Sequence, residues 1–493
     1  MAIVRPLTRA LGRRLFALPS AACILFVPAI ARAAEEGSPH LDGGALGLLW
    51  SIPFVGVLLS IAVFPLVAPT FWHHHFGKVC AVWAFAFLIP FMIAHGLDLA
   101  VYELIHVALL EYIPFIILLF SLFTVAGGVR LTGSLKGTPA VNTGILLLGT
   151  VIASWMGTTG AAMLLIRPLL NANEGRRYRV HTVVFFIFLV ANIGGSLSPL
   201  GDPPLFLGFL KGVSFFWPAE HMLLPMLFLS VALLALYAGI DSVLYRREGK
   251  GNAPGVGDDL DEAAQEFSHL GLEGKVNILL LGGVVGAVLL SGIWRPGISF
   301  DVYHVQVELQ NLVRDLLLVG IAFLSLLLTQ NQSRRANGFT WFPIVEVAKL
   351  FAAIFVTIVP VIAILKAGEA GALGGVVRAV SDSQGAPVDA AYFWLTGILS
   401  SFLDNAPTYL VFFNTAGGDA QQLMGEMSST LLAISAGAVF MGAVTYIGNA
   451  PNFMVRSIAA DRGIPMPSFF GYMIWSVGLL MPLFVLLTLI FFL

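Results

Sequence analysis

Along this chain apolar residues run in long blocks, and polar residues punctuate the blocks rather than alternating with them. Stretches near 45–68, 79–97, 104–127, 222–240, 276–294, 311–330, 341–366 and 469–493 each predict a helix able to cross a bilayer. Four other apolar stretches, 139–170, 181–212, 389–416 and 428–458, carry Gly, Pro, Asn, Asp or Thr at their centres. These predict helices that break part-way. Irregular backbone at membrane depth survives only where protein or water satisfies its amides and carbonyls. The four interruptions are therefore where polar chemistry is expected.

Composition points the same way. Hydrophobic residues make up 58% of the 493 and charged residues 11%, against roughly 25% charged in soluble domains. The expected fold class is an all-α polytopic membrane protein. A net charge of −2 with no basic face gives no reason to expect nucleic acid as a partner. No nucleotide-binding loop and no nucleophile–base pattern is present, so neither ATP hydrolysis by this chain nor enzymatic catalysis is expected. No cofactor is expected beyond transported or coupling ions. The two cysteines, Cys23 and Cys80, suggest no disulfide framework.

Residues 1–33 read as a secretory signal peptide: Arg5, Arg9, Arg13 and Arg14, then the short apolar run Leu15 to Ile30, then Ala31-Arg32-Ala33. An uncleaved first helix is the alternative. Either way the following residues start outside the cytoplasm. Loop charges then orient the spans. Arg130, Lys136, Arg167, Arg176, Arg177, Arg179, Arg246, Arg247, Lys250, Arg334, Arg335, Arg456 and Arg462 belong inside, and no Lys or Arg occurs between Ala379 and Val455. This closes only if 139–170 enters and leaves from the inside and 389–416 from the outside. Lys211, Arg295, Lys366 and Arg378 are then outside, as exceptions. The hydrophilic segment 246–275, with its acidic run "DDLDEAAQE", reads as a cytoplasmic linker with a short surface helix. It joins a first transmembrane repeat, 41–245, to a second, 276–493.

The interrupted stretches match in pairs at one offset of 247 residues. "SWMGTTGAAMLL" (154–165) aligns with "SFLDNAPTYLVF" (401–412), and "SPLGDPPLFL" (198–207) with "TYIGNAPNFM" (445–454). Gly201 meets Gly448, Asp202 meets Asn449, and Pro204 meets Pro451. With the loop charges, this predicts two inverted-topology repeats, each with a re-entrant hairpin and a broken helix. Such repeats mark secondary transporters, with the site where the repeats meet.

Four elements are then expected to converge. The hairpin tips are Gly157-Thr158-Thr159-Gly160 and Asp404-Asn405-Ala406-Pro407. The breaks carry Ser198, Gly201, Asp202 and Pro204 in one repeat, and Thr445, Gly448, Asn449 and Pro451 in the other. Hydroxyls, amides and carbonyls suit a small hard cation such as sodium. Asp202 and Asp404 add negative charge, can take up a proton, and are the expected sodium ligands. An ionisable group within a span is a functional candidate by default. The structural alternative is that each Asp caps the half-helix starting after it. Thr158, Thr159 and Ser198 have packing as their alternative. Glu111, within an apolar span, is a second-tier candidate. His73-His74-His75 reads as a solvated interfacial loop rather than a metal site.

"NIGGSLSPLGDPP" (192–204) and "LDNAP" (403–407) resemble the paired signatures of the ion transporter superfamily. The D-type sodium/proton antiporters, the arsenite-pump membrane subunit and proteins labelled citrate transporters are similar. The resemblance implies scaffold helices in each repeat, a homodimer formed through them, and hairpin units that move as an elevator. Asp202 and Asp404 would carry ions or protons, with Asn405, Thr158 and Ser198 nearby. The first tip departs from the sodium-coupled dicarboxylate branch, which has Ser-Asn-Thr at its tips where this chain has "GTTG". The expectation is a multi-pass sodium/proton antiporter of a bacterial inner membrane, acting on a small inorganic cation. A symporter of citrate or another carboxylate, free or metal-complexed, is the alternative.

Overall fold

A computed structural model describes residues 39, 41–133, 135–249 and 271–493. The expected leader, and the acidic run with its surface helix, lie outside the described residues. Among those described, nine helices are long and apolar enough to span a membrane, or ten if the bent pair Phe342–Thr357 and Val359–Lys366 is one span. Among the described residues, strand is confined to two short antiparallel ladders, Arg130–Thr132 with Gly271–Glu273 and Ser299–Val302 with Val305–Glu308. The chain is an all-α polytopic membrane protein.

The first span, Leu48–Val67, is separated from Pro69–His95 by Ala68 alone. Pro69 starts the second helix because a missing N–H costs nothing in the first turn. His73, His74 and His75 are therefore helical, which corrects the expected loop. The next span, 97–126, is continuous but contains a π-turn at Ala108–Tyr112.

Both expected hairpins form. The first pairs Pro139–Met156 with Thr158–Ala172 and turns at Gly157, whose φ of 80° lies where a side chain would strain the backbone. The second pairs Asp389–Phe402 with Asn405–Thr415. Both broken helices form as well. Val180–Leu189 leads through a 3-10 turn, Ile193–Leu197, to Pro203–Leu210. Ser428–Met441 leads through Gly442–Val444 to Ala450–Asp461. Proline in the first turn restarts each, at Pro203, Pro204 and Pro451.

Burial separates these elements from the rest. The stretch Val180–Leu197 is 89% buried within the protein, whereas the other spans lie between 22% and 50%. An apolar helix buried on all sides is a core element, and the half-buried ones leave a face for lipid. The long helix Trp217–Gly249 packs along the hairpin and broken helix of its own half, as Phe469–Phe491 packs on the corresponding turn of the other.

Candidate functional site

The hydrogen bonds at the two breaks repeat at the sequence offset. Ser198 donates to the Ser154 carbonyl and accepts from the Leu200 amide at 3.1 Å. In the other half Thr445 donates to the Ser401 carbonyl at 2.5 Å and accepts from the Ile447 amide at 3.2 Å. The hairpin serines answer in the same way. Ser154 donates to the Gly194 carbonyl at 2.6 Å and Ser401 to the Met441 carbonyl at 2.9 Å. Each hydroxyl satisfies a carbonyl that a continuous helix would have satisfied itself. Gly201 and Gly448 let the breaks fold this tightly. A Cβ at Gly201 would sit 2.0 Å from the Gly195 oxygen, and one at Gly448 would sit 2.5 Å from the Gly442 oxygen.

This bracing presents four helix starts to one point. The helices beginning at Thr158, Pro203, Asn405 and Ala450 all open at the hairpin tips or the breaks. Asp202, 2% exposed, stands at the centre. It occupies the N-cap position of Pro203–Leu210 yet makes no side-chain hydrogen bond to its own helix. Its Oδ1 accepts from Thr158 Oγ1 at 3.2 Å and from Asn449 Nδ2 at 2.9 Å, and its Oδ2 accepts from Asn405 Nδ2 at 2.5 Å. One carboxylate thus joins the first break, both hairpin tips and the second break. Donors of this kind are worth more to a charged acceptor than to a neutral one.

Asp404 behaves differently. It is half-buried and caps the helix Asn405–Thr415, accepting from the Ala406 amide at 3.1 Å. Thr408 donates to its carbonyl at 2.9 Å, and Pro407 fits a first turn that needs no N–H at that position. Its charge is near enough to act on Asp202. The capping alternative thus describes Asp404 and not Asp202. Thr159 is half-buried at the first tip, next to Gly160, where a Cβ would meet Ala126 at 2.8 Å. Ser198 and Thr445 brace the breaks, and the side-chain donors to Asp202 are Thr158, Asn405 and Asn449 instead. Asn405 Oδ1 and Ser196 Oγ are buried without a partner among the described residues.

One pairing and one residue escaped the sequence reading, which had Asn192 and Asn452 only as separate members of the two converging breaks. Asn192 and Asn452 lock the broken helices together. Asn192 Nδ2 donates to Asn452 Oδ1 at 2.7 Å, and Asn452 Nδ2 donates to the Gly442 and Thr445 carbonyls at 2.8 and 2.9 Å. The spacing of 260 residues breaks the repeat offset, so pairwise alignment could not find the bond. Asp241 is the other. It is fully buried, 2.7 Å from Arg176 and 2.9 Å from His181, and accepts from Asn142 at 3.1 Å and Tyr237 at 3.2 Å. This cluster clamps the base of the first hairpin to the helix Trp217–Gly249. Asp389, in the second hairpin, accepts from Thr430 at 2.6 Å. No group of three or more His, Cys, Asp or Glu side chains able to hold a metal ion occurs among the described residues.

Paired hairpins and broken helices meeting on a buried polar centre, inside a sheath of apolar spans, define a polytopic membrane carrier. The family described as "Putative citrate transport" matches residues 43–492, and the chain belongs to it. It is also similar to uncharacterized transporters of Mycobacterium tuberculosis and Mycobacterium bovis. Each is 24% identical over 371 residues, which cover 71% of this chain and 79% of the relative. The protein is a multi-pass membrane transporter working on a small-molecule substrate in a lipid bilayer.

Proposed function

We propose that this transporter carries a citrate-class carboxylate across a bacterial inner membrane, coupled to protons or sodium held at Asp202. The observation that carries this reading is the meeting of four helix N-termini around one buried carboxylate. A helix N-terminus presents unpaired amides and partial positive charge, which favour an anion. Asp202 answers part of that field with a carboxylate of its own. A second carboxylate entering beside it meets like-charge repulsion in a medium of low polarity. A proton or a cation on Asp202 removes the repulsion, so substrate and coupling ion bind together. A metal-complexed citrate brings less negative charge and eases the same conflict. The hairpin and broken-helix units then move as an elevator against the remaining helices, through which two copies pair as a homodimer.

Sodium/proton antiport is the second reading. It is favoured by the side chains themselves: among the described residues no Lys or Arg hydrogen-bonds Asp202. The buried Asn405 Oδ1 also offers an acceptor without a partner among the described residues. One proteoliposome preparation separates the two. Uptake of labelled citrate, driven by a sodium or proton gradient and lost in Asp202→Asn, is the expected result. Sodium-driven pH change with no citrate uptake would retire the carboxylate reading in favour of antiport.

A further inference from the structure

Glu111 sits where a charge is costly. It is 5% exposed, inside the span 97–126, and lies in the π-turn Ala108–Tyr112. A π-turn within an α-helix is rare and recurs at functional sites. The position 247 residues later is Ile358, the joint of the pair Phe342–Thr357 and Val359–Lys366, which is bent by 43°. Both halves interrupt the corresponding helix at the corresponding place, and the first half puts a carboxylate there.

Its partner is equally telling. Lys211 Nζ donates to Glu111 Oε1, while Glu111 Oε2 is buried without a partner among the described residues. Lys211 is the C-cap of Pro203–Leu210, the half-helix that has Asp202 at its other end. Eight residues therefore tie the central carboxylate to a lysine that reaches across to another span, and the half-helix packs on the π-turn itself. Lys366 and His106 lie within electrostatic reach of the pair, and Glu103 lies within reach of Lys366. Lys211 and Lys366 are two of the lysines that loop-charge counting places on the wrong side, so their cost calls for a reason.

We propose that Glu111 and Lys211 form a state-dependent ion pair, which registers the Asp202-bearing half-helix against the span 97–126 in this conformation and opens when that half-helix moves. It rests on the elevator part of the proposed function. Glu111 is buried and Lys211 half-buried, so separating them strands the Glu111 carboxylate without its cation. Lys366 supplies the replacement cation beside Glu111, which keeps the exchange between states from stalling. Glu111 is thus a positioning residue that acts through the broken helix and does not touch the substrate.

The test uses the full chain with Cys23 and Cys80 replaced by alanine, carrying Glu111→Cys and Lys211→Cys, in proteoliposomes with a short bis-methanethiosulfonate crosslinker that joins the two thiols through reducible disulfides. Crosslinking is expected to abolish transport until a reductant cleaves it. Its yield is expected to fall several-fold when citrate, sodium or a pH gradient sets the carrier moving. A yield indifferent to all three overturns the proposal. Charge reversal gives a second measurement if that double variant does not reach the membrane. Glu111→Lys and Lys211→Glu are each expected to lower kcat tenfold or more with KM little changed, and the two together to recover most of it. Failure of the exchanged pair to recover turnover in folded protein overturns the proposal. The substrate reading is judged separately, by whether the unmodified chain takes up citrate at all.

Discussion

Asp202 and Asn449 hold the same place in the two halves, and one donates to the other across 247 residues of sequence. That pair was legible in the sequence because Gly-Asp-Pro-Pro and Gly-Asn-Ala-Pro are polar interruptions of apolar runs, and a break needs Gly and Pro for backbone reasons. The division of labour between Asp202 and Asp404 was not legible. Both precede a helix start, and only the orientation of the side chain shows that one caps and the other faces three foreign donors. Removing a donor to a buried charge costs about 1.5–3 kcal/mol, or roughly 10- to 100-fold in an equilibrium constant. Each donor favours the empty, charged carboxylate over the loaded one, so Asn405→Ala and Asn449→Ala are each expected to tighten coupling-ion binding at Asp202 by up to that much while the protein stays folded. Asp404→Asn keeps a good cap and is expected to retain transport within several-fold. Uptake measured against ion concentration decides this. Loss in Asp404→Asn as deep as in Asp202→Asn would place the coupling charge on both.

At the scale of elements, existence was easier to read than interruption. Long apolar blocks have one stable solution in a bilayer, so the broken stretches and most spans could be placed to within a few residues, while Pro69–His95, 97–126 and Trp217–Gly249 run about five to ten residues beyond the apolar blocks that predicted them. The π-turn at Ala108–Tyr112 left no mark in the sequence, because it adds one residue to a turn without demanding Gly or Pro. The Asp241 clamp was missed for another reason. Its partners are scattered from Asn142 to Tyr237 and meet only once the hairpin base is packed. The backbone crossings at the breaks depend on the least conspicuous residues. A methyl at Gly201 would meet the Gly195 oxygen at 2.0 Å, backbone against backbone, with no side chain able to give way. Overpacking of this kind costs about 1–3 kcal/mol. Gly201→Ala is expected to lower the melting temperature of detergent-solubilised protein and to abolish transport. Gly144→Ala, with nothing within 4 Å of its Cβ, is expected to do neither. Equal melting of the two variants would show that the break tolerates widening.

At the scale of the whole molecule, the repeat and its inversion rest on different physics. The repeat shows in backbone geometry, since the Ser198–Ser154 bond recurs as Thr445–Ser401. Inversion is a statement about the membrane, and loop charge is what argues for it. Arg176, Arg177 and Arg179 follow the first hairpin, while the second is flanked by a stretch free of Lys and Arg. If positive loops stay in the cytoplasm, the hairpins open to opposite faces, and the convergence at Asp202 becomes a site reachable from either side in turn. Glu174 lies at the base of the first hairpin and Gln384 in the loop before the second, and both are exposed. In intact cells a membrane-impermeant maleimide is expected to label Gln384→Cys and spare Glu174→Cys, with Cys23 and Cys80 replaced by alanine. Permeabilised cells are expected to label both. Labelling of both from the outer face would mean that the repeats run parallel. Alternating access would then need motions other than opposed hairpins closing on one centre.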